Sequence, residues 1–416
     1  MMSLNVLKIS KQAISKNFFF TSFSFIYKLR NWQLSQTFYY NDLELYTLAH
    51  KNLKFGIQNG LNVARAGYTE DQILTACMLA DKTGYDSIFY MDHTNVPQWK
   101  NATVLDPWVM LSAIAAVTNN VELGTCVTDA IRRHPSNIAL AAITLDRVSK
   151  GRAILGIGAG EAQNLKEFCI PFEKPVSKWA EQIEVIKTLY HSDPDNTVDY
   201  EGKYYKLEKA CLQAPPIRKP HPPTYMASGG KRTLDLTGKL GEGWLPIGYT
   251  PELFEDHRIQ IETAMDKYGR SQEDKDNFEM ALDIDVYFSE DAEASWAKMK
   301  EAVKVSLFKP EILRVHGLKE IEGFDFVKYF TEYSMSDQSW IVKMREAATK
   351  IPDPIARSST AVGTPEDIIP VFERFMEAGV NHFVIRFWGK NYFGSIDKFA
   401  SHVMPALREK NKQKFG

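Results

Sequence analysis

The stretch AILGIGAGEAQN, residues 153–164, joins an apolar run to three glycines at every second position and then to Glu161. A dinucleotide-binding loop requires the spacing G-x-G-x-x-G at the start of a helix. Here Gln163 stands where the third glycine would be, and a glutamate at that helix start would compete with a bound phosphate. The stretch therefore argues against a dinucleotide-binding loop and favours a buried strand that ends in an acidic side chain.

On both sides of this stretch, short β-branched apolar runs alternate with segments of helical period, as in a parallel sheet built from βα units. Strands are predicted at residues 53–60, 85–93, 121–129, 153–160, 224–230, 241–248, 279–289 and 381–389. Helices are predicted at residues 69–83, 106–118, 135–149, 173–191, 231–240, 251–268, 291–306 and 365–378. Eight strands in this alternation favour a closed (β/α)8 TIM barrel over a doubly wound sheet.

Length and composition are compatible with one large α/β domain. The chain has 416 residues, of which 44% are hydrophobic and 25% charged, as in globular proteins. Barrels extended by insertions reach this length as a single domain. We predict one barrel over residues 51–416, with insertions at about 192–223 and 307–362. The first insertion is predicted to hold a hairpin around DYEGKYYKL, and loops this long usually shape a binding mouth.

Residues 1–50 differ from the rest of the chain. The first 41 residues contain five basic residues, no acidic residue and the aromatic cluster NFFFTSFSFIY. A targeting segment or a surface anchor would have a similar composition. The apolar part is short, is interrupted by Thr and Ser, and has no clear small-residue cleavage site. We therefore expect a poorly ordered N-terminal extension and keep a targeting role as the alternative.

Charge and cysteine usage argue against several classes of partner. The net charge is -2, with 50 basic and 52 acidic residues, which provides no basic field for nucleic acid. The four cysteines lie far apart and form no CxxC, so neither a zinc site nor a disulfide framework is indicated. No uninterrupted apolar run reaches about 18 residues, so no membrane span is expected. We predict a cytoplasmic protein without a metal site that acts on a small molecule.

Polar or flat side chains follow six of the predicted strands, at the end where barrel active sites lie. Taken singly, each could cap a helix or cover the barrel rim. Their shared position indicates an active site. These candidates are Asn59, Asp92, His93, residues 125–129, Glu161, Asn164, residues 228–230 and Trp388.

The segment SGGKR, residues 228–232, is a better candidate for a phosphate site than the glycines of residues 156–160. Two glycines after a strand let a ligand approach the backbone, and the next helix presents its N-terminus. Lys231 or Arg232 would add positive charge. A tight turn with two surface cations is an equally valid interpretation of these residues alone.

Four segments resemble the luciferase-like flavin and deazaflavin oxidoreductases. They are SIFYMDH, the run from LGTCVTD to GAGEAQN, ASGG, and GTPEDIIPVFERFMEAGVNHFVIRF. The resemblance extends from about Lys54 to Pro405 and implies a barrel of the bacterial-luciferase type, commonly a homodimer. Within the family, GAGEAQN is most similar to the branch that uses coenzyme F-420 (F420). That branch includes secondary-alcohol and sugar-phosphate dehydrogenases and methylene-tetrahydromethanopterin reductase.

The resemblance implies catalytic roles for three residues. His93 would be the acid/base group near the substrate oxygen, and Glu161 would stabilise charge or relay a proton at the edge of the cofactor. Trp99 would stack on the substrate. It follows His93 by six residues, a longer gap than the family has, which implies a longer loop. The family's sugar-phosphate ligands have no matching positions in this chain.

The resemblance also implies which residues bind the cofactor. Asp92 would bind the ring region, and the glycines of the fourth strand would let the flat ring approach that strand. The third-strand bulge would contain a non-proline cis peptide at Cys126-Val127. The residues predicted to bind the cofactor are Asp92, Cys126, Val127, Thr128, Gly160, Asn164, Ser228, Gly229 and Gly230, the last three at its phosphate.

The reaction implied is hydride transfer between F-420 and an alcohol, carbonyl or methylene-pterin-like carbon. An FMN-dependent monooxygenase on the same scaffold is the alternative. A non-catalytic flavin-binding protein is disfavoured, because binding alone does not need an acid and a base together. A cofactor-free lyase or hydrolase is disfavoured by the lack of a metal-ligand cluster or a strand-end lysine in the sequence.

Overall fold

The computed structural model describes residues 53–96, 102–319, 324–326 and 339–415. The N-terminal extension of residues 1–50 and the predicted catalytic Trp99 lie outside these ranges. All of the described residues belong to one compact unit, residues 49–416.

Parallel strands form the centre of this unit, and their continuous apolar runs are buried, as expected for strands covered on both faces. The strands are β1 (Lys54–Asn59), β2 (Ser87–Tyr90), β3 (Glu122–Thr125), β4 (Thr128–Asp129), β5 (Ala153–Gly158), β6 (Val198–Glu201), β7 (Lys206–Ala210), β8 (Thr224–Ala227), β9 (Gly243–Trp244), β10 (Glu279–Phe288), β11 (Thr360–Gly363) and β12 (His382–Phe387). Eight of them pair in parallel in the order β1, β2, β3, β5, β8, β9, β10, β12 and back to β1. The eight predicted strands and the closed (β/α)8 barrel are confirmed.

Helices surround the barrel. They are α1 (Leu61–Ala66), α2 (Glu70–Thr83), α3 (Pro107–Val117), α4 (Pro135–Val148), α5 (Pro175–Tyr190), α6 (Lys231–Leu240), α7 (Pro251–Lys267), α8 (Gln272–Asp276), α9 (Ala292–Ser306), α10 (Pro310–Val315), α11 (Ser339–Ala348), α12 (Asp353–Ser358), α13 (Pro365–Glu377), α14 (Tyr392–Lys398) and α15 (Met404–Phe415). The eight predicted helices are confirmed to within two residues at each end. Among the described helices, none is long and apolar enough to cross a bilayer.

Local sequence sets where the helices begin. Proline occupies the first helical position of α3, α4, α5, α7 and α13, where its missing N–H would have no acceptor anyway. Before α13, Thr364 forms a reciprocal capping box with Asp367. The antiparallel pair β6 and β7 confirms the hairpin predicted in the first insertion.

Strand β10 has two different neighbours along one edge. Its first residues, Glu279 and Met280, pair with β9, and residues 285–288 pair with β11. Strand β11 was not predicted, since it has only four residues and ends the second insertion. Its pairing ties that insertion to the part of β10 nearest the barrel mouth.

Side chains inside the barrel lie at three levels. At the amino end of the strands, Lys54 pairs with Glu122 at 3.1 Å and with Glu279 at 2.6 Å. The polar side chains of the candidate site lie at the carboxyl end, which we call the mouth. Between these levels the core is apolar and consists of Phe89, Ile154, Tyr225, Leu245, Ala281 and Val384.

Candidate active site

The first strand delivers a different residue to the mouth from the one the sequence suggested. Asn59 is buried against the helices, where it donates to Cys77 Sγ at 3.2 Å and accepts from the Tyr392 hydroxyl at 2.9 Å. Side chains alternate along a strand, so its neighbour Gln58 faces the barrel interior instead. The assignment of Asn59 to the mouth was wrong.

Asp92 follows β2 and is 4% exposed. One carboxylate oxygen accepts from Thr128 Oγ1 at 2.6 Å, and the other pairs with the Arg132 guanidinium. Arg132 also donates to the Asp92 carbonyl at 3.1 Å, and its Nε lies 3.7 Å from Asp129 Oδ2. Both Asp92 oxygens are thus engaged by the protein. Thr128, predicted to touch the cofactor, is fully buried and supports Asp92.

Asp129 contributes a second buried carboxylate to the same cluster. Its Oδ1 accepts from the backbone N–H groups of Ile131 at 2.6 Å and Arg132 at 3.2 Å. Burial raises the pKa of Asp129, because the charged form is desolvated. The turn after β4 is therefore held by its own backbone donors.

His93, Asn164 and Glu161 come together as the sequence suggested. Asn164 Nδ2 lies 3.2 Å from His93 Nδ1 and 3.5 Å from Glu161 Oε2. Asn164 Oδ1 accepts from the backbone N–H of Thr94 at 3.2 Å. Since a backbone N–H only donates, this contact orients the Asn164 amide and leaves Nδ2 to donate to His93. Neutral His93 then carries its proton on Nε2.

Glu161 is exposed and accepts a short hydrogen bond from Gln163 Nε2. It stands at the start of a 3-10 turn, Ala162–Asn164, that follows β5. The glutamate therefore lies at the end of the strand, as the sequence indicated, and next to the amide that orients His93.

The bulge after β3 contains the cis peptide bond Cys126-Val127, at the expected position. The alternating glycines of β5 make room for this bulge. A Cβ on Gly156 would lie 1.8 Å from the Thr125 carbonyl oxygen, and one on Gly158 would lie 3.0 Å from Val127 Cγ2. The bulge fills the space that the sequence interpretation assigned to the cofactor. Cys126 and Val127 themselves are half-buried at the mouth.

Gly160 has a φ of +85°, in the left-handed region that favours glycine. A Cβ there would lie 2.6 Å from Asp129 Oδ1. The space beside the Gly160 Cα is therefore occupied by the Asp129 carboxylate.

Ser228, Gly229 and Gly230 form the turn between β8 and α6. The Ser228 hydroxyl lies 2.8 Å from Thr237 Oγ1, and its carbonyl accepts from Trp244 Nε1 at 3.0 Å and from Tyr249 at 3.2 Å. Ser228 thus fixes the turn.

Gly230 is exposed at the N-terminus of α6, and a Cβ there would meet nothing nearer than 3.8 Å. Within the described part of the chain, no group accepts from the backbone N–H of Lys231 or Arg232. Free N–H groups at a helix N-terminus suit a phosphate.

The opposite side of the mouth carries a polar cluster of which the sequence analysis named only Trp388. Arg386 Nε on β12 lies 3.0 Å from Asp283 Oδ1 and 2.9 Å from Asp285 Oδ1, both on β10. Trp388 Nε1 donates to Asp285 Oδ1 at 2.7 Å, and Gln58 Nε2 donates to Asp283 Oδ2 at 2.8 Å. Two aspartates within the otherwise apolar run MALDIDVYF, residues 280–288, were the available signal.

Electrostatics in this cluster are dominated by burial. Burial raises the pKa of Asp283 to about 6, against the opposing effect of Arg386. It also raises the pKa of the Cys126 thiol, which lies 3.5 Å from Asp283 Oδ2. The cluster thus joins the cis bulge to β10.

The second insertion also reaches the mouth. Lys309, which immediately precedes α10, donates to the Gly248 carbonyl at 3.2 Å and to the Ile247 carbonyl. Its ammonium lies 5.0 Å from the centre of the Tyr249 ring. Burial lowers the pKa of Lys309 to about 8. The lysine therefore secures the loop after β9, and Tyr249 of that loop in turn donates to the Ser228 carbonyl.

The chain is similar in sequence to a known family and to several of its members. A family model described as luciferase-like monooxygenase matches residues 57–382. Phthiodiolone/phenolphthiodiolone dimycocerosates ketoreductase of Mycobacterium bovis is 28% identical over 72% of this chain and 78% of its own length. The 5,10-methylenetetrahydromethanopterin reductase of Archaeoglobus fulgidus is 28% identical over 79% of this chain and 94% of its own.

A solved structure shares the fold. It is an F420-dependent secondary alcohol dehydrogenase in complex with an F420-acetone adduct, with a TM-score of 0.69 and 24% identity. The match covers 86% of this chain and 99% of that chain.

Proposed function

The chain belongs to the luciferase-like monooxygenase family, and from that membership we propose that it is a coenzyme F-420-dependent oxidoreductase. Its reaction is hydride transfer between the cofactor and an alcohol, carbonyl or methylene-pterin-like carbon. Two curated relatives are named as a ketoreductase and a methylenetetrahydromethanopterin reductase, which supports a reductase over an oxygenase. The observation that carries the proposal is the Asn164 contact that leaves the proton of His93 on Nε2.

The described residues fit such a cofactor. The free N–H groups of Lys231 and Arg232 and the open space beside Gly230 suit its phosphate. The half-buried Cys126 and Val127 of the bulge offer a surface for its ring. Coenzyme F-420, when bound, supplies a ring carbon that gives or takes a hydride.

His93 is the proposed acid/base group. Its Nε2–H would donate a hydrogen bond to the carbonyl oxygen and stabilise the negative charge that develops there as hydride arrives. The proton that completes the alcohol would come from the imidazolium form of His93, which returns to neutral imidazole, and the reverse reaction would give that proton back. Asp92, locked by Arg132 and Thr128, would position His93 and the bulge, and in this proposal it acts on the cofactor through them. Glu161 would orient Asn164 and relay protons at the edge of the cofactor. The stacking role of Trp99 stays a prediction.

An FMN-dependent monooxygenase is the second candidate, and the name of the family favours it. A side-by-side titration with F-420 and FMN, followed by fluorescence, discriminates the two. We expect F-420 to bind at least about tenfold more tightly, which corresponds to about 1.4 kcal/mol. Preference for FMN, together with oxygen consumption by the reduced protein, would instead establish the monooxygenase.

We also propose a homodimer that acts in the cytoplasm. Apolar side chains lie exposed on neighbouring helices, with Val109 on α3 at 70% and Leu140 on α4 at 47% exposure. Such a face is typical of an interface. All four cysteines are free, which suits a reducing compartment. Light scattering of the purified chain would give the molar mass in solution.

A further inference from the structure

The side of the mouth formed by β1, β10 and β12 contains none of the residues assigned to the cofactor and contacts them through Cys126. We call it the β10–β12 wall. At the level just below, the barrel interior is apolar, with Ala281 and Val384 on the same two strands. Burying charges is costly even when they are paired, so the charges of this side need an explanation. The wall consists of Gln58, Asp283, Asp285, Arg386 and Trp388.

Two members of the wall reach open space. The side chains of Arg386 and Asp285 are 13% and 10% exposed, whereas that of Asp283 is 1% exposed. Arg386 Nη2 donates to Asp285 Oδ2 at 2.9 Å, and Nε lies at ion-pair distance from both carboxylates without a hydrogen bond to either. Among the described residues, none accepts from Arg386 Nη1. Asp285 Oδ1 accepts from Trp388 and Oδ2 accepts from Arg386, so a ligand would meet the Nη1 donor of Arg386 and the second lone pair of Asp285 Oδ2.

Gln58 provides an independent indication of a ligand. It is 5% exposed, and its Nε2 is bound to Asp283. Its Oε1 is buried next to Gly60 and has no hydrogen-bond donor among the described residues. A buried acceptor without a donor is unfavourable, so a hydroxyl or amide N–H that reached this oxygen would satisfy it.

The charge of the wall limits what can bind there. Two carboxylates face one guanidinium, so the wall has an excess of one negative charge when both are ionised. Lys309, the cation of the adjoining insertion, is bound to the carbonyls of Ile247 and Gly248. A phosphate or carboxylate would therefore meet net repulsion.

We propose that the β10–β12 wall binds an uncharged polar group of the substrate, a hydroxyl or carboxamide that both donates and accepts, and that it discriminates against anionic substrates. This inference rests on the proposed function, since it treats the mouth as the substrate site. It names the substrate class that the cofactor chemistry leaves open. Arg386 would donate to the group, and Asp285 would accept from it.

Two matched secondary alcohols test the inference, 3-hydroxybutanamide and 3-hydroxybutanoate, which differ only in amide against carboxylate. Their binding to the F-420-loaded protein and their kcat/KM would be measured on the wild type. We expect the amide to be preferred by about tenfold or more, because a charge repelled across a partly buried site costs at least that much. Equal or reversed preference, or no binding of either compound, would overturn the inference.

Two variants test whether the β10–β12 wall causes the preference for the amide. Asp285→Asn removes the excess negative charge, so we expect the preference for the amide to shrink severalfold with F-420 affinity unchanged. Glu290→Gln, an 85% exposed carboxylate just beyond β10, is the matched control and should keep the wild-type preference. If Asp285→Asn does not fold, the wild-type pair of compounds still decides. Failure to bind F-420 would refute the proposed function, whereas normal F-420 binding without amide preference would refute only the wall.

Discussion

Two clusters of the same composition, an arginine between two buried aspartates, lie on opposite sides of the barrel mouth. In the first, the protein engages both oxygens of Asp92 and Oδ1 of Asp129, whereas Asp129 Oδ2 is buried and has no hydrogen-bond donor among the described residues. In the second, a donor nitrogen and a partly exposed carboxylate remain at the mouth. We call them the Arg132 cluster, with Asp92 and Asp129, and the Arg386 cluster, with Asp283 and Asp285.

The composition of an ion-pair cluster alone therefore does not define the role of that cluster. The Arg132 cluster fixes the turns that carry His93 and the cis bulge, so it holds the chemistry in position. The Arg386 cluster is built from strands far apart in sequence and leaves groups available to a ligand. We therefore assign positioning to the first side of the mouth and recognition to the second.

The largest effect that separates the two sides is catalytic. His93→Ala should lower kcat by about 10²–10⁴-fold, because it removes the general acid, with little change in F-420 affinity. Asp285→Asn should act mainly on substrate selectivity. Steady-state kinetics and cofactor titration of both variants would check this.

The control is His402→Ala, which removes an exposed histidine of the C-terminal region. Its kcat should equal that of the wild type. Unchanged turnover in His93→Ala would remove the acid/base role and with it the assignment of chemistry to the Arg132 side.

A second prediction compares the clusters by stability. Arg132→Met should lower the free energy of unfolding by about 3–5 kcal/mol, because it leaves Asp92 and Asp129 buried without their cation. Arg386→Met should cost less, since Asp283, whose pKa is about 6, can take up a proton. Burial also raises the pKa of Asp129, but two backbone N–H donors favour its charged form. Urea unfolding at pH 7.5 and pH 5.5 measures both, and the gap between the variants should widen at the lower pH.

An exposed pair provides the reference for this comparison. Arg314, 57% exposed, lies 2.7 Å from Asp256, and Arg314→Met should cost no more than about 1 kcal/mol. Equal costs for Arg132→Met and Arg386→Met at both pH values would show that the two clusters do not differ in the way proposed.

Sequence reasoning predicted the barrel well because its strands are long apolar runs with strong local signals. It missed β11, whose four residues, Thr360–Gly363, pair only because β10 extends past the barrel wall. It also placed Asn59 at the mouth where Gln58 lies, since alternation along a strand does not say which parity faces inward.

Some residues of the candidate site could be predicted from the sequence, and others could not. His93, Glu161 and Asn164 follow strand ends, so their meeting at the mouth follows from the fold. Asp283 and Arg386 lie inside strands and are paired through the register of β10 with β12. That register depends on the closed barrel, which no local pattern in the sequence specifies.

The smallest effect is a pH dependence that belongs to the Arg386 side. Since the pKa of Asp283 is raised by burial to about 6, above the value of about 3.9 in an unfolded chain, the folded state binds this proton more tightly. Its contribution to stability is full below about pH 4 and is lost as pH rises through 6. Relative to the wild type, Asp283→Asn should therefore gain roughly 2–3 kcal/mol between pH 4 and pH 7. Urea unfolding at the two pH values measures this gain. The same change at Glu290 should give none, and a flat difference for Asp283→Asn would mean that the carboxylate is already ionised and as fully satisfied as Asp92.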